Sequence, residues 1–143
     1  MHHFDNNDYI YLSLLHLGAV EWNKSSKRLL NALQYVVIHE NITAGPVKRL
    51  YTELADLHNI THIAIERSLR YAIGQLWECS STECSKLLYH SKEAHRCPSV
   101  SEFLFLYSDS FKRGIIQAWV DSLEAEEEPR AVDTDTALDM FTF

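Results

Sequence analysis

The chain has 143 residues, 46% of them hydrophobic, which is enough for one globular domain with its own core. Lys and Arg number 13 and Asp and Glu number 20, so the formal net charge is −7. The longest apolar runs, such as residues 35–38, fall far short of the roughly 20 residues of a membrane span, so no membrane protein is expected. The first eight residues carry no export signal, which favours a cytoplasmic protein.

Turn-forming residues are scarce. Only four Gly and three Pro occur, too few for the turns of a many-stranded sheet or for a phosphate-cradling loop. The chain has three cysteines, an odd number, and thiols normally stay reduced in the cytoplasm, so no disulfide framework is expected. We therefore predict a mostly helical protein.

The charge is unevenly distributed along the chain. Residues 1–123 carry 12 bases and 13 acids, whereas residues 124–143 carry one base and seven acids. Within residues 23–73, seven bases outnumber four acids. We predict a domain over residues 1–123 with a locally basic surface, followed by an acidic tail over residues 124–143.

The first two helices follow from apolar spacing. Apolar residues recur near a 3.6-residue period from Tyr9 to Leu17, with cap candidates in residues 5–8 and a stop at Gly18. A second helix is predicted from a cap at Ser25 or Ser26 to Val37.

Two further helices are predicted in the middle of the chain. Pro46 is typical of a first helical turn, and the apolar stripe after it predicts a third helix that ends near His58. Thr61 is a candidate N-cap for a fourth helix, which has the most regular amphipathic pattern in the chain. The apolar stripe of that helix comprises Ile65, Leu69, Ala72, Ile73 and Leu76.

The last third of the chain predicts loops and one long helix. Polar residues 78–83 predict a loop, followed by a short apolar cluster and a second loop that closes at Pro98. Ser99 or Ser101 is a cap candidate for a helix that extends through Val120. This helix is apolar on more than one face, which indicates a central position in the core or an interface with a partner.

The third and fourth helices, joined by a polar turn at residues 57–61, predict a helix-turn-helix over about residues 47–77. In such a motif the second helix places its N-terminal outward residues in the DNA major groove. Basic side chains and hydroxyl groups beside that helix bind the phosphates. The outward residues of the fourth helix are His62, Glu66, Arg67, Arg70 and Tyr71. Two amphipathic helices with a short turn also occur in ordinary helical bundles, so the pattern alone leaves both interpretations open.

Several segments resemble a known family of regulators. Residues 50–55 (LYTELA), Asn59, Thr61, residues 65–73 (IERSLRYAI) and Trp77 resemble the C-terminal effector domain of stage zero sporulation protein A. That family reads LYPDIA, N-x-T, VERAIRHAI and a Trp at the same spacing. Residues 97–103 (CPSVSEF) are similar to its KPTNSEF, and residues 15–18 (LHLG) to its HEIG. The resemblance spans about residues 9–113.

The resemblance implies an all-α bundle of about six helices that binds duplex DNA in the major groove as a tandem dimer. It implies transcription regulation at entry into sporulation, with no catalysis and no cofactor. We further expect two copies of the chain to pair through the last helix. A second regulator protein is another expected partner. The resemblance also implies that Glu66 and Arg67 contact bases and backbone, that Arg70 matches a family Arg, and that Tyr71 stands where the family has a His near phosphate. The helix-turn-helix pattern adds Thr61 and His62 to the predicted DNA-binding residues, and Lys48 and Arg49 are predicted to hold phosphates.

The sequence departs from the family pattern in two ways. The family protein carries a receiver domain for which this chain has no room, so control by phosphorylation is not expected. Ala64 stands where the family has an Arg that reaches a guanine edge. Since such a contact gives roughly 1 to 3 kcal/mol of discrimination, its loss should relax the sequence preference by about tenfold or more.

The acidic tail offers an alternative function. Seven carboxylates tethered to the domain can repel DNA or compete with it for the basic surface. A protein that keeps the fold, does not bind DNA and pairs with a regulator therefore stays open as the second hypothesis.

A third, weaker hypothesis is a zinc or thiol enzyme. The candidate ligands Cys79, Cys84, Cys97, His90 and His95 lie in one short stretch, but their spacing matches no zinc ribbon or finger. No glycine-built oxyanion turn accompanies the thiols. Residues 133–135 resemble the start of a calcium loop but lack its later Gly and Glu, so a solvated tail is expected there.

Overall fold

The computed structural model describes residues 4–18, 23–39 and 47–127. Within these ranges the chain forms six α-helices and no strand, which confirms the predicted all-α class. The helices are α1 (Asn6–His16), α2 (Lys24–Ile38), α3 (Val47–His58), α4 (His62–Tyr89), α5 (Val100–Lys112) and α6 (Ile115–Glu127).

Of the five predicted helix starts, three are confirmed and one is wrong, while the one at Pro46 lies outside the described residues. Asp5 caps α1 and accepts the Asp8 backbone N–H at 2.8 Å, while Thr61 and Ser99 cap α4 and α5. The predicted cap of α2 at Ser25 or Ser26 is wrong, because Asn23 caps this helix two residues earlier. The Asn23 side chain accepts the backbone N–H of Ser26 at 2.9 Å and also its hydroxyl.

The predicted loop at residues 78–83 is wrong, because α4 continues through it with a kink. The kink lies at Ser80, whose φ of −152° and ψ of 51° are not helical. The Ser80 hydroxyl donates to the Leu17 carbonyl at 2.5 Å and is also 3.2 Å from the Leu76 carbonyl. At the kink, the Ser80 hydroxyl therefore both contacts a carbonyl of its own helix and ties the end of α1 to α4.

The end of α1 approaches α4 closely at this kink. Gly18 has a φ of +115°, and a Cβ on it would lie 2.7 Å from the Cβ of Cys79. A glycine is required here by both the backbone conformation and the available space. The predicted helix stop at Gly18 therefore also serves as the docking point of α1 on α4.

The predicted long last helix is two helices. Gly114, with a φ of +78°, separates α5 from α6. The two helices have different partners, since α5 packs mainly against α2 and α4, whereas α6 packs against α1 and α5. This explains why the sequence is apolar on more than one face: two helical stripes point in different directions.

Helices α2, α4 and α5 form the centre of the core, with Leu33, Leu69 and Phe103 fully buried on them. A buried hydrogen bond of 2.7 Å joins the hydroxyls of Ser13 and Tyr107. Burial raises the pKa of the Tyr107 phenol above its ordinary value. The two hydroxyls of this buried pair thus satisfy each other's hydrogen bonding.

Helix α6 runs to Glu127, four residues past Leu123, and the rest of the acidic segment lies outside the described residues. No helix in the described ranges has an apolar stretch long enough to cross a bilayer.

Candidate nucleic-acid interface

A tight turn joins α3 to α4. Asn59 adopts the left-handed conformation with a φ of 54°, and the backbone N–H of Ile60 donates to the Ala55 carbonyl at 3.1 Å. This is the hydrogen bond that closes a helix end of the Schellman type, and Asn is among the few residues that tolerate the conformation. Ala55 is buried, and Ile60 packs against the core. The turn therefore fixes the direction in which α4 leaves α3.

The first turn of α4 is capped by Thr61, whose hydroxyl oxygen accepts the Ala64 backbone N–H at 3.1 Å. Thr61 and His62 are both exposed. Because the hydroxyl oxygen is only accepting in this bond, its hydrogen stays available to a phosphate oxygen. The N-terminal end of a helix also carries a partial positive charge that favours a phosphate nearby.

One exposed stripe runs along the start of α4. It comprises Ile63, Arg67, Arg70 and Tyr71, which follow at i, i+4, i+7 and i+8, and we call it the outer face. Arg67 has no ion-pair partner among the residues that the structure describes. The opposite side of the helix is buried, as predicted, through Ile65, Leu69, Ala72, Ile73 and Leu76.

Glu66 and Arg70 form an ion pair one helical turn apart on α4. Glu66 is partly buried and lies toward Tyr51 on α3. The pKa of Tyr51 is raised by burial first and by the Glu66 carboxylate second, while the Arg70 charge lowers it. Tyr51, one helical turn after the exposed Lys48 and Arg49, therefore lies near the Glu66–Arg70 pair.

A second basic surface lies at the other end of the outer face, beside the turn. Lys24, Lys27 and Arg28 of α2 line an open groove with Asn31, Leu57, His58 and Ile60, and we call this the basic groove. Arg28 donates through Nη1 to the Ser68 hydroxyl at 2.6 Å, which ties α2 to α4. The Arg28 guanidinium is thus held against α4 at Ser68.

His58 is the titratable member of the basic groove. Its Nε2 lies 3.0 Å from the Asn31 side-chain oxygen, so the ring donates to Asn31. Burial lowers the pKa of His58, and the positive charges of Arg28 and Lys27 lower it further. His58 is therefore neutral near pH 7, and the groove's positive charge comes from the three α2 bases.

The cysteine and histidine cluster does not form a metal centre in the described ranges, where no three His, Cys, Asp or Glu side chains are placed to share an ion. Cys84 is buried, and burial raises the pKa of its thiol to about 11. A thiol with such a pKa is almost entirely protonated at neutral pH, so it is a poor nucleophile.

The protein is an all-helical bundle in which α3, the turn and α4 form a helix-turn-helix, an arrangement that occurs in many DNA-binding proteins. The family model described as the sporulation initiation factor Spo0A C terminal matches residues 10–111, and the chain belongs to this family. The family consists of DNA-binding transcription regulators of sporulation. Searches of curated proteins and of solved structures gave no significant match.

The structure brings most of the residues predicted for DNA binding to one side of the motif. Arg67, Arg70 and Tyr71 share the outer face, Thr61 and His62 precede it, and Glu66 lies between the outer face and α3. Sequence reasoning missed Ile63 and the basic groove. Ile63 lies off the predicted apolar stripe by helical spacing, which was the available signal that it faces outward.

Proposed function

We propose that this protein binds duplex DNA through its helix-turn-helix, with the start of α4 in the major groove, and regulates transcription in sporulation. The observation that carries the proposal is the outer face, where Arg67 is exposed without an ion-pair partner in the described ranges, next to a capped and exposed helix N-terminus. Arg side chains are the commonest readers of guanine edges and also bind phosphates.

Exposed positive charges on α3 and α2 support the same function. Lys48 and Arg49 lie in the first turn of α3, and Lys24 and Lys27 line the basic groove. All four side chains are exposed. A duplex that receives α4 in its major groove presents a phosphate strand on each side, and these four side chains are suited to bind such phosphates.

The selectivity of this binding should be relaxed. Ala64, in the first turn of α4, has a side chain that is too short to reach a base edge with a hydrogen bond. Base reading then falls to Arg67 and its neighbours, and phosphate contacts supply most of the affinity.

The predicted homodimer through the last helix stays a prediction. Ile116 and Val120 of α6 are buried within the domain, whereas Ala118, Asp121, Ser122 and Ala125 are exposed. Pairing through α6 would therefore use small and polar side chains. Pairing with a regulator protein likewise stays a prediction.

Fluorescence anisotropy with a labelled duplex tests the proposal. The full chain should bind at low salt, and its affinity should fall steeply as salt rises from roughly 50 to 200 mM. Arg67→Ala should lower the affinity about fivefold or more. Lys24→Ala and Lys27→Ala should each reduce the slope of log affinity against log salt by about 0.9.

Lys112→Ala is the matched control. Lys112 is an exposed lysine at the end of α5. This part of α5 lies near the end of α2, because the Ser108 hydroxyl donates to the Val36 carbonyl. It lies at the opposite end of α2 from the basic groove, so its removal should leave the affinity within about twofold. If the full chain fails to bind any duplex at low salt, the proposal is wrong and the non-DNA-binding interaction protein takes its place.

A further inference from the structure

Ile63 is an apolar side chain in an unexpected place. It is 65% exposed in the first turn of α4, two residues after the Thr61 cap. It therefore contributes little to the core, and its neighbours on the outer face are charged or polar. Under the proposed function, this isoleucine lies at the end of α4 that enters the major groove, where its methyl groups meet the base edges.

The chemistry of the first turn narrows what that contact can be. Ile63 offers only methyl and methylene groups, and the adjacent Ala64 offers one methyl group. Neither side chain can donate or accept a hydrogen bond. Arg67, one turn later and about 6 Å along the helix axis, is the nearest hydrogen-bonding side chain on the outer face.

In the major groove, the apolar group that a base pair presents is the C5 methyl of thymine. We propose that Ile63, with Ala64 beside it, recognises thymine through this methyl group, so that the preferred site carries thymine where the first turn of α4 meets the bases. This inference rests on the proposed function and adds to it the class of base that is read. Arg67 then binds a guanine edge or a phosphate in the adjoining part of the site.

The test compares thymine with deoxyuridine, which pairs in the same way but lacks the methyl group. Duplexes that bind the full chain are selected from a random-sequence pool, and each thymine in the selected site is replaced in turn. At one or two positions the replacement should weaken binding about fourfold, the effect of one buried methyl or methylene group.

Protein variants assign that effect to Ile63. In Ile63→Ala the loss on thymine replacement should shrink below about twofold, as expected when the two interacting groups are coupled. Ile38→Ala is the matched control, because Ile38 is 71% exposed at the far end of α2 and the substitution removes the same atoms. That variant should keep the full fourfold preference.

Two outcomes would overturn the inference while leaving DNA binding intact. One is a selected site in which no thymine responds to replacement. The other is a methyl preference that persists unchanged in Ile63→Ala. A chain that binds no member of the pool would instead refute the proposed function itself, and with it the inference.

Discussion

Arg70 donates a hydrogen bond to the carboxylate of Glu66, one turn earlier on α4. This ion pair neutralises the charge of Arg70. Within the described ranges, Arg67 is then the cation of the outer face that has no ion-pair partner. An exposed pair of this kind contributes little to stability, so its effect on DNA binding should exceed its effect on folding.

Glu66→Gln should therefore tighten binding to duplex DNA of any sequence. The substitution removes a negative charge next to the phosphates and releases Arg70, and we expect a gain of about two- to fivefold at low salt. Anisotropy titration measures the change, with Glu53→Gln, an exposed acid on α3, as the control. A large loss of affinity in Glu66→Gln would show that the carboxylate itself accepts a hydrogen bond from a base, as it can from cytosine.

Removal of residues 128–143 should also strengthen DNA binding. This segment carries four acids and one base, and tethered carboxylates compete with phosphate for the basic surfaces. Since α6 extends to Glu127, the shortened chain should end there to keep the helix whole. We expect an affinity gain of about two- to tenfold that disappears at high salt. An unchanged affinity at low salt would contradict a competing role for the tail.

The stability of the domain should depend on pH through His58. Its pKa in the folded protein lies below the unfolded value of about 6.5, so the unfolded chain binds more protons as the pH falls. The stabilisation is complete above pH 6.5 and decreases as the pH drops below it. We expect the free energies of unfolding of the wild type and of His58→Gln, measured in urea at several pH values, to approach each other below pH 6.5.

Gly18 and Gly74 should respond in opposite ways to alanine. Gly18→Ala forces a side chain into a φ of +115° and against Cys79, and should cost about 2 kcal/mol or more. Gly74 is helical, and nothing lies within 4 Å of an added Cβ, so Gly74→Ala should stabilise the domain by about 0.5 to 1 kcal/mol. Equal effects of the two substitutions in urea unfolding would contradict the close docking of α1 on α4.

The two helices and the turn of the helix-turn-helix can be predicted from sequence because the residues that define them are close together in the chain. The apolar period of α4, its Thr61 cap and the small Ala55 are each readable from a few neighbouring residues. The kink at Ser80 was not readable in this way, because the Ser80 hydroxyl bonds to Leu17, far away in the chain. The division of the last helix was missed because a single glycine, Gly114, is compatible with a continuous helix as well as with a break.

The candidate interface was predictable only in part, for the same reason. The charged residues of the outer face follow from helical spacing along one segment. The basic groove joins α2 to the end of α3, so it becomes visible only when the two helices are packed together. Ile63 was passed over because an apolar residue in an amphipathic helix is ordinarily assigned to the core.

The central claim is that the start of α4 enters the major groove. Chemical methylation of a bound duplex tests it directly, because guanine N7 lies in the major groove and adenine N3 in the minor groove. We predict protection of guanine N7 within the bound site and loss of that protection in Arg67→Ala, with adenine N3 remaining reactive there. Protection of adenine N3 alone, or protection of N7 that is unchanged in Arg67→Ala, would contradict the account.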